Sequence, residues 1–138
     1  MRPTGFGRAA AWFVAGFLAL FSVPNLYWGF GGKRGIEWVM GCDCLPPAAA
    51  LIQQVFIIIG IIIILGHGGI WRLPLPGRMF SVGTWAMAVV VGAVAVTNSF
   101  GDNTLQARTV FAPVAAVLCV LCVVVARSPR GERSVSGS

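Results

Sequence analysis

Four stretches of this chain carry no charged side chain and are each long enough to cross a bilayer. They are approximately 9–30, 48–66, 80–100 and 109–126. A spanning helix needs about 20 apolar residues, within a range of roughly 17–25. The run Ile57 to Leu65 has strand propensity in water, but in lipid an open strand leaves its backbone groups unpaired, so a helix is favoured. The connections are short and broken by Gly31-Gly32, Pro46-Pro47, and Pro74, Pro76 and Gly77. Short connections make neighbouring helices antiparallel. The sequence therefore predicts an all-α, polytopic membrane protein: one antiparallel four-helix transmembrane bundle over residues 1–126. A basic, disordered cytoplasmic tail is expected over 127–138.

Composition excludes the other broad classes. Only 10% of the 138 residues are charged and 57% are hydrophobic, whereas a soluble domain carries about 25% charged residues. Disorder of the whole chain would require the opposite balance. The net charge of +6 does not mark a nucleic-acid partner, because the basic residues flank apolar blocks and build no basic face. The partner implied is the lipid bilayer. Arg2 and Arg8 before an apolar stretch resemble the start of a signal peptide. No small-x-small site closes that stretch, so the first helix is expected to remain uncleaved.

The basic residues sort by side. Arg2, Arg8, Arg72, Arg78, Arg127, Arg130 and Arg133 fall on one side of the bundle, and Lys33, Arg34 and Arg108 on the other. By the positive-inside rule this places both termini in the cytoplasm of a cell (plasma) membrane, multi-pass. Trp12, Trp28, Trp38, Trp71 and Trp85 stand near segment ends, where interfacial anchors belong.

No Asp, Glu, Lys or Arg lies inside a segment, which argues against proton- or ion-coupled transport. The intramembrane polar residues that call for an explanation beyond lipid contact or packing are Asn25, Gln53, Gln54, Thr97, Asn98 and Ser99. At 1.5 Å per residue all lie within roughly 8–9 Å of the outer boundary. Tyr27 and Trp28 share that level, and Asp102 and Arg108 cap it from the outer loop. One reading is a polar, ligand-binding pocket made by Asn25, Tyr27, Trp28, Gln53, Gln54, Asn98, Asp102 and Arg108. The plainer reading is interhelical glue, since side-chain amides in lipid hold helices together at about 0.6 kcal/mol per contact. Gln53 and Gln54 are adjacent and cannot both face one direction. Small residues recur at four-residue spacing: Ala11, Ala15 and Ala19, and Thr84, Ala88 and Gly92. Such stripes serve close packing inside the bundle, with homo-oligomerisation or membership of a larger membrane complex as the other use. Pro24 and Pro113 are expected to kink their helices.

The single histidine, His67, has no neighbouring ligands in sequence, so no metal site is expected. Cys42 and Cys44 lie in the outer loop, and Cys119 and Cys122 in the fourth helix. A loop pair and a helical Cys-x-x-Cys resemble the quinone-linked thiol oxidoreductases of the vitamin K epoxide reductase kind, which would relay electrons from loop thiols to the helix pair and on to a quinone. Depth argues against that chemistry: Cys119 is roughly 15 Å into its helix, where a thiolate is disfavoured. The Cys-x-Cys spacing is also narrower than in that family.

Two further stretches resemble a group of small four-helix membrane proteins common in actinobacteria and known only as a domain of unknown function. Asn25-Leu26-Tyr27-Trp28-Gly29-Phe30-Gly31-Gly32 is similar to the family's His-x-Tyr-Trp-Ala-x-Gly-Gly, with Asn25 in the histidine's place. Arg108 to Pro113 is similar to the Tyr-x-Pro region before its last helix. The resemblance implies a fold and a compartment but no activity. The function expected is a non-catalytic accessory or structural bundle without catalytic residues or cofactors. The alternatives are a binder or transporter of a small or lipid-like molecule, and a thiol–quinone oxidoreductase.

Overall fold

The structure, a computed structural model, describes residues 5–40, 45–101 and 104–129. All of its regular secondary structure is helical. The helices are α1 (Gly5–Gly29), α2 (Ile36–Met40), α3 (Pro47–His67), α4 (Gly77–Phe100) and α5 (Ala112–Arg127), the last entered through a π-helical turn at Ala107–Phe111. Four of these elements are long and apolar enough to span a membrane: Gly5–Gly29, Pro47–His67, Gly77–Phe100, and the turn with α5 as Ala107–Arg127. The fold is a four-helix bundle of a multi-pass membrane protein.

Each spanning helix buries one narrow stripe. On α3 it is Ala50, Gln54, Ile57, Gly60, Ile64 and His67; on α5 it is Ala112, Ala115, Leu118, Cys122 and Val125. Steps of three and four residues put each set on one helix face. The outward faces are equally apolar: Leu20, Val23, Phe56, Val82, Val89 and Val120 are all exposed. A bundle in water would carry charge there. This double apolarity is the structural signature of a lipid-facing surface.

The helices pack as a ring in the order α1, α3, α4, α5, with α1 meeting α5 to close it. Packing is most extensive between α1 and α3 and between α4 and α5. Antiparallel α3 and α4 interlock through glycine sockets. A Cβ on Gly60 would stand 2.7 Å from the Met87 sulfur, one on Gly66 2.2 Å from the Phe80 ring, and one on Gly83 2.8 Å from Ile63. The central core gathers Ala10, Ala11, Val14, Ile64, Ala88, Leu118, Cys122 and Val125. Ala11, Ala15, Thr84 and Ala88 of the small-residue stripes face inward, whereas Ala19 is exposed.

The spanning elements all begin before their apolar blocks, and two of them, Pro47–His67 and Ala107–Arg127, also end beyond them. Hydropathy marks where charge appears, but a helix stops where its backbone bonding stops. Pro46 and Pro76 precede α3 and α4 in extended backbone. Gly69, at φ 65°, turns the chain after α3 in a conformation that favours glycine. The π-turn has a local cause. In a regular helix the Pro113 ring would clash with the Thr109 carbonyl, and the wider turn, in which the Ala112 N–H reaches the Ala107 carbonyl, relieves the clash. By contrast, α1 remains helical through Pro24.

Candidate functional site

The polar residues inside the spans meet at the α1–α3 contact. Asn25 sits on the buried stripe of α1 and has no exposed surface. Its Nδ2 donates to the Ala50 carbonyl at 2.9 Å and to Gln54 Oε1 at 3.4 Å. Gln54, itself buried, donates in return from Nε2 to the Ser22 hydroxyl. Ser22 and Asn25 are three residues apart on α1, and Ala50 and Gln54 four apart on α3, so two turns face two turns across the interface. Both amides present their donors to acceptors, as a buried amide in lipid must. One lone acceptor is left over: Asn25 Oδ1 is buried without a hydrogen-bond partner among the described residues.

The other candidates fall elsewhere. Gln53, one residue from Gln54, is exposed on the outward face of α3. Asn98 is half-buried on α4, which lies across the ring from α1, and it takes no part in the network. Thr97 and Ser99 turn their hydroxyls back to the carbonyls of Val94 and Ala95 in their own helix. Arg108 reaches from the π-turn to the Gly101 carbonyl at 2.9 Å, closing the α4–α5 connection. Asp102, Cys42 and Cys44 lie outside the described residues. Ser22 belongs to the network and was not among the sequence candidates. Its three-residue offset from Asn25 is the signal that could have found it.

Tyr27 and Trp28 hold a loop in place. Trp28 is buried and its indole N–H donates to the Arg34 carbonyl at 2.9 Å. The half-exposed Tyr27 lays its ring where a Cβ on Gly32 would stand, 2.3 Å away. Gly31, at φ 92°, reverses the chain between them. The Tyr-Trp-x-x-Gly-Gly stretch thus folds residues 30–36 back over the end of the bundle. Ile36, Leu45 and Ala50 pack against Trp28. Trp38 on α2 meets Phe111 edge to face, with ring centroids 5.8 Å apart, so the loop reaches the start of α5.

The helical thiols are both free. Cys119 donates to the Ala88 carbonyl of α4 at 3.3 Å, and Cys122 is fully buried in the central core. Gly92 leaves room for the Cys119 sulfur, which a Cβ there would approach to 3.2 Å. His67 is buried at the end of α3. Among the described residues no group of three metal-ligating side chains comes together. Two concavities among the described residues are shallow and apolar. The groove between α1 and α5, about 260 Å³, is lined by Phe13, Phe17, Pro113, Val114, Val117 and Leu118.

Comparison with protein families, characterised proteins and solved structures finds no match for this chain.

Proposed function

We propose that this protein is a non-catalytic accessory or structural bundle of the plasma membrane, with both termini in the cytoplasm. One observation carries the reading: the polar side chains at the α1–α3 contact are spent on joining helices. Asn25 has no exposed surface and Gln54 and Ser22 close around it. The groove between α1 and α5 and the second concavity beside α5 are lined by apolar side chains, with no polar group to orient a reactant. The cysteines support the same reading, since Cys119 and Cys122 are packed as small core residues. The likeness of the α1 end to the small actinobacterial four-helix proteins belongs to this proposal and adds no activity to it.

A second reading has one observation in its favour. Asn25 Oδ1 is a buried acceptor without a donor among the described residues, and such a group costs about 1–3 kcal/mol unless something bonds it. A small donor-bearing ligand seated there would satisfy it. The variant Asn25→Leu separates the two. Under the structural reading it lowers thermal stability in detergent modestly, and a compensating stabilising substitution elsewhere restores cellular function. Normal stability together with lost function would favour the ligand reading instead.

A further inference from the structure

Four arginines from four parts of the chain stand on one rim. Arg8 is in the first turns of α1, Arg72 just past the end of α3, Arg78 in the first turn of α4, and Arg127 at the end of α5. In an antiparallel ring those ends are on the same side. All four side chains are exposed, and none has a hydrogen bond or ion pair among the described residues. The opposite end differs. Its Arg108 is engaged by the Gly101 carbonyl, and it holds Glu37, the one acidic residue among those described. The four-arginine rim therefore has no described anion of its own.

Three tryptophans set the rim at headgroup level. Trp12 lies one turn above Arg8 on the same face of α1, and Trp85 two turns from Arg78 on the same face of α4; both are exposed. Trp71, also exposed, adjoins Arg72. Tryptophan bodies at this position occupy the membrane–water boundary, which puts the guanidinium groups one step outward, among phosphates. The residue type is also informative. The chain has one lysine, Lys33, and it is at the other end. Orientation alone would be served by either cation, but a planar guanidinium forks two N–H groups onto a phosphate, which an ammonium does not.

We propose that this rim is a binding surface for the phosphate groups of anionic phospholipids, held by Arg8, Arg72, Arg78 and Arg127. The inference does not depend on the proposed function or on which leaflet the rim occupies. The test uses the full chain in nanodiscs of phosphatidylcholine with and without phosphatidylglycerol, reading retained lipid by native mass spectrometry and thermal stability in parallel. The wild type retains phosphatidylglycerol over phosphatidylcholine and is stabilised by it. Replacing all four arginines with glutamine weakens retention by roughly fivefold per arginine, while Arg34→Gln with Arg108→Gln leaves it unchanged. The fourfold Arg→Lys variant keeps charge and helicity but loses part of the preference. Equal retention of the two lipids by the wild type would overturn the proposal. So would an Arg→Lys variant indistinguishable from wild type, or stabilisation by inorganic phosphate matching that by the lipid.

Discussion

The contact between Asn25 and Gln54 shows what a polar side chain does in a bundle without water. In lipid no hydrophobic force draws one apolar helix to another, so close packing and a few hydrogen bonds hold them. Asn25→Leu should cost about 0.6–2 kcal/mol of stability, because the unfolded chain in the membrane also finds partners for its amides. Thermal or denaturant unfolding in detergent measures it, and a loss far above that range would mean that the whole network collapses with Asn25. The glycine sockets make a sharper contrast. Gly66→Ala places a Cβ 2.2 Å from the Phe80 ring, and that rigid ring must move, at a cost of about 1–3 kcal/mol. Gly16→Ala meets nothing within 4 Å and should be neutral or gain up to about 1 kcal/mol of helix preference. Equal effects in the two variants would deny the sockets a packing role. At this scale the sequence was half legible. Depth put Asn25 and Gln54 at one level, but which of two adjacent glutamines faces inward depends on how α3 is rotated. The stripe through Ala50, Ile57 and Ile64 settles that in favour of Gln54. Asn98 shares their depth but stands on a helix that does not neighbour α1, and ring order leaves no mark in a sequence of uniformly apolar segments.

Among the elements, the four spans were readable because length and hydropathy suffice to define a membrane helix. The short α2 and the π-turn were not. The first is five residues long and owes its position to Trp28, Ile36 and Leu45 packing at the bundle end. The second is a response to one proline. Trp28→Phe keeps most of the buried ring but removes the N–H that holds the Arg34 carbonyl. The expected result is a stability loss of about 0.5–1.5 kcal/mol, with faster amide hydrogen exchange confined to the loop 30–36. Exchange rising evenly through α1 and α3 would show that Trp28 acts on the bundle and not on the loop. For α5, the thiols of Cys119 and Cys122 are enclosed by α4 and the core. A membrane-impermeant maleimide should leave both unlabelled in intact membranes and label them after denaturation. Rapid labelling before denaturation would reveal a water-filled path along α5 and return the thiol–quinone reading to the foreground.

For the whole molecule, four antiparallel spans put the N-terminal end of α1 and the C-terminal end of α5 on one side, whatever the orientation. Which side that is rests on charge. Among the described residues Arg8, Arg72, Arg78 and Arg127 mark the rim that carries both chain ends, while Lys33, Arg34 and Arg108 mark the other. The retention of basic loops in the cytoplasm acts on short loops and on residues close to the spans, and every one of these residues meets that condition. Both ends should therefore be cytoplasmic. A fluorescent-protein fusion at the C-terminus should be bright and an alkaline phosphatase fusion at the same place inactive. Inactive fluorescence paired with active phosphatase would reverse the molecule in the membrane. The bundle itself, the Asn25–Gln54 contact and the arginine rim would be unaltered by such a reversal, but the rim would then face the opposite leaflet. Neutralising Arg8, Arg72 and Arg78 together brings the described basic residues of that rim below those of the other, so the same pair of fusions on this variant should show a mixed or inverted population. An unchanged orientation in the variant would mean that something other than the described arginines, such as the basic residues of the chain ends, sets the topology.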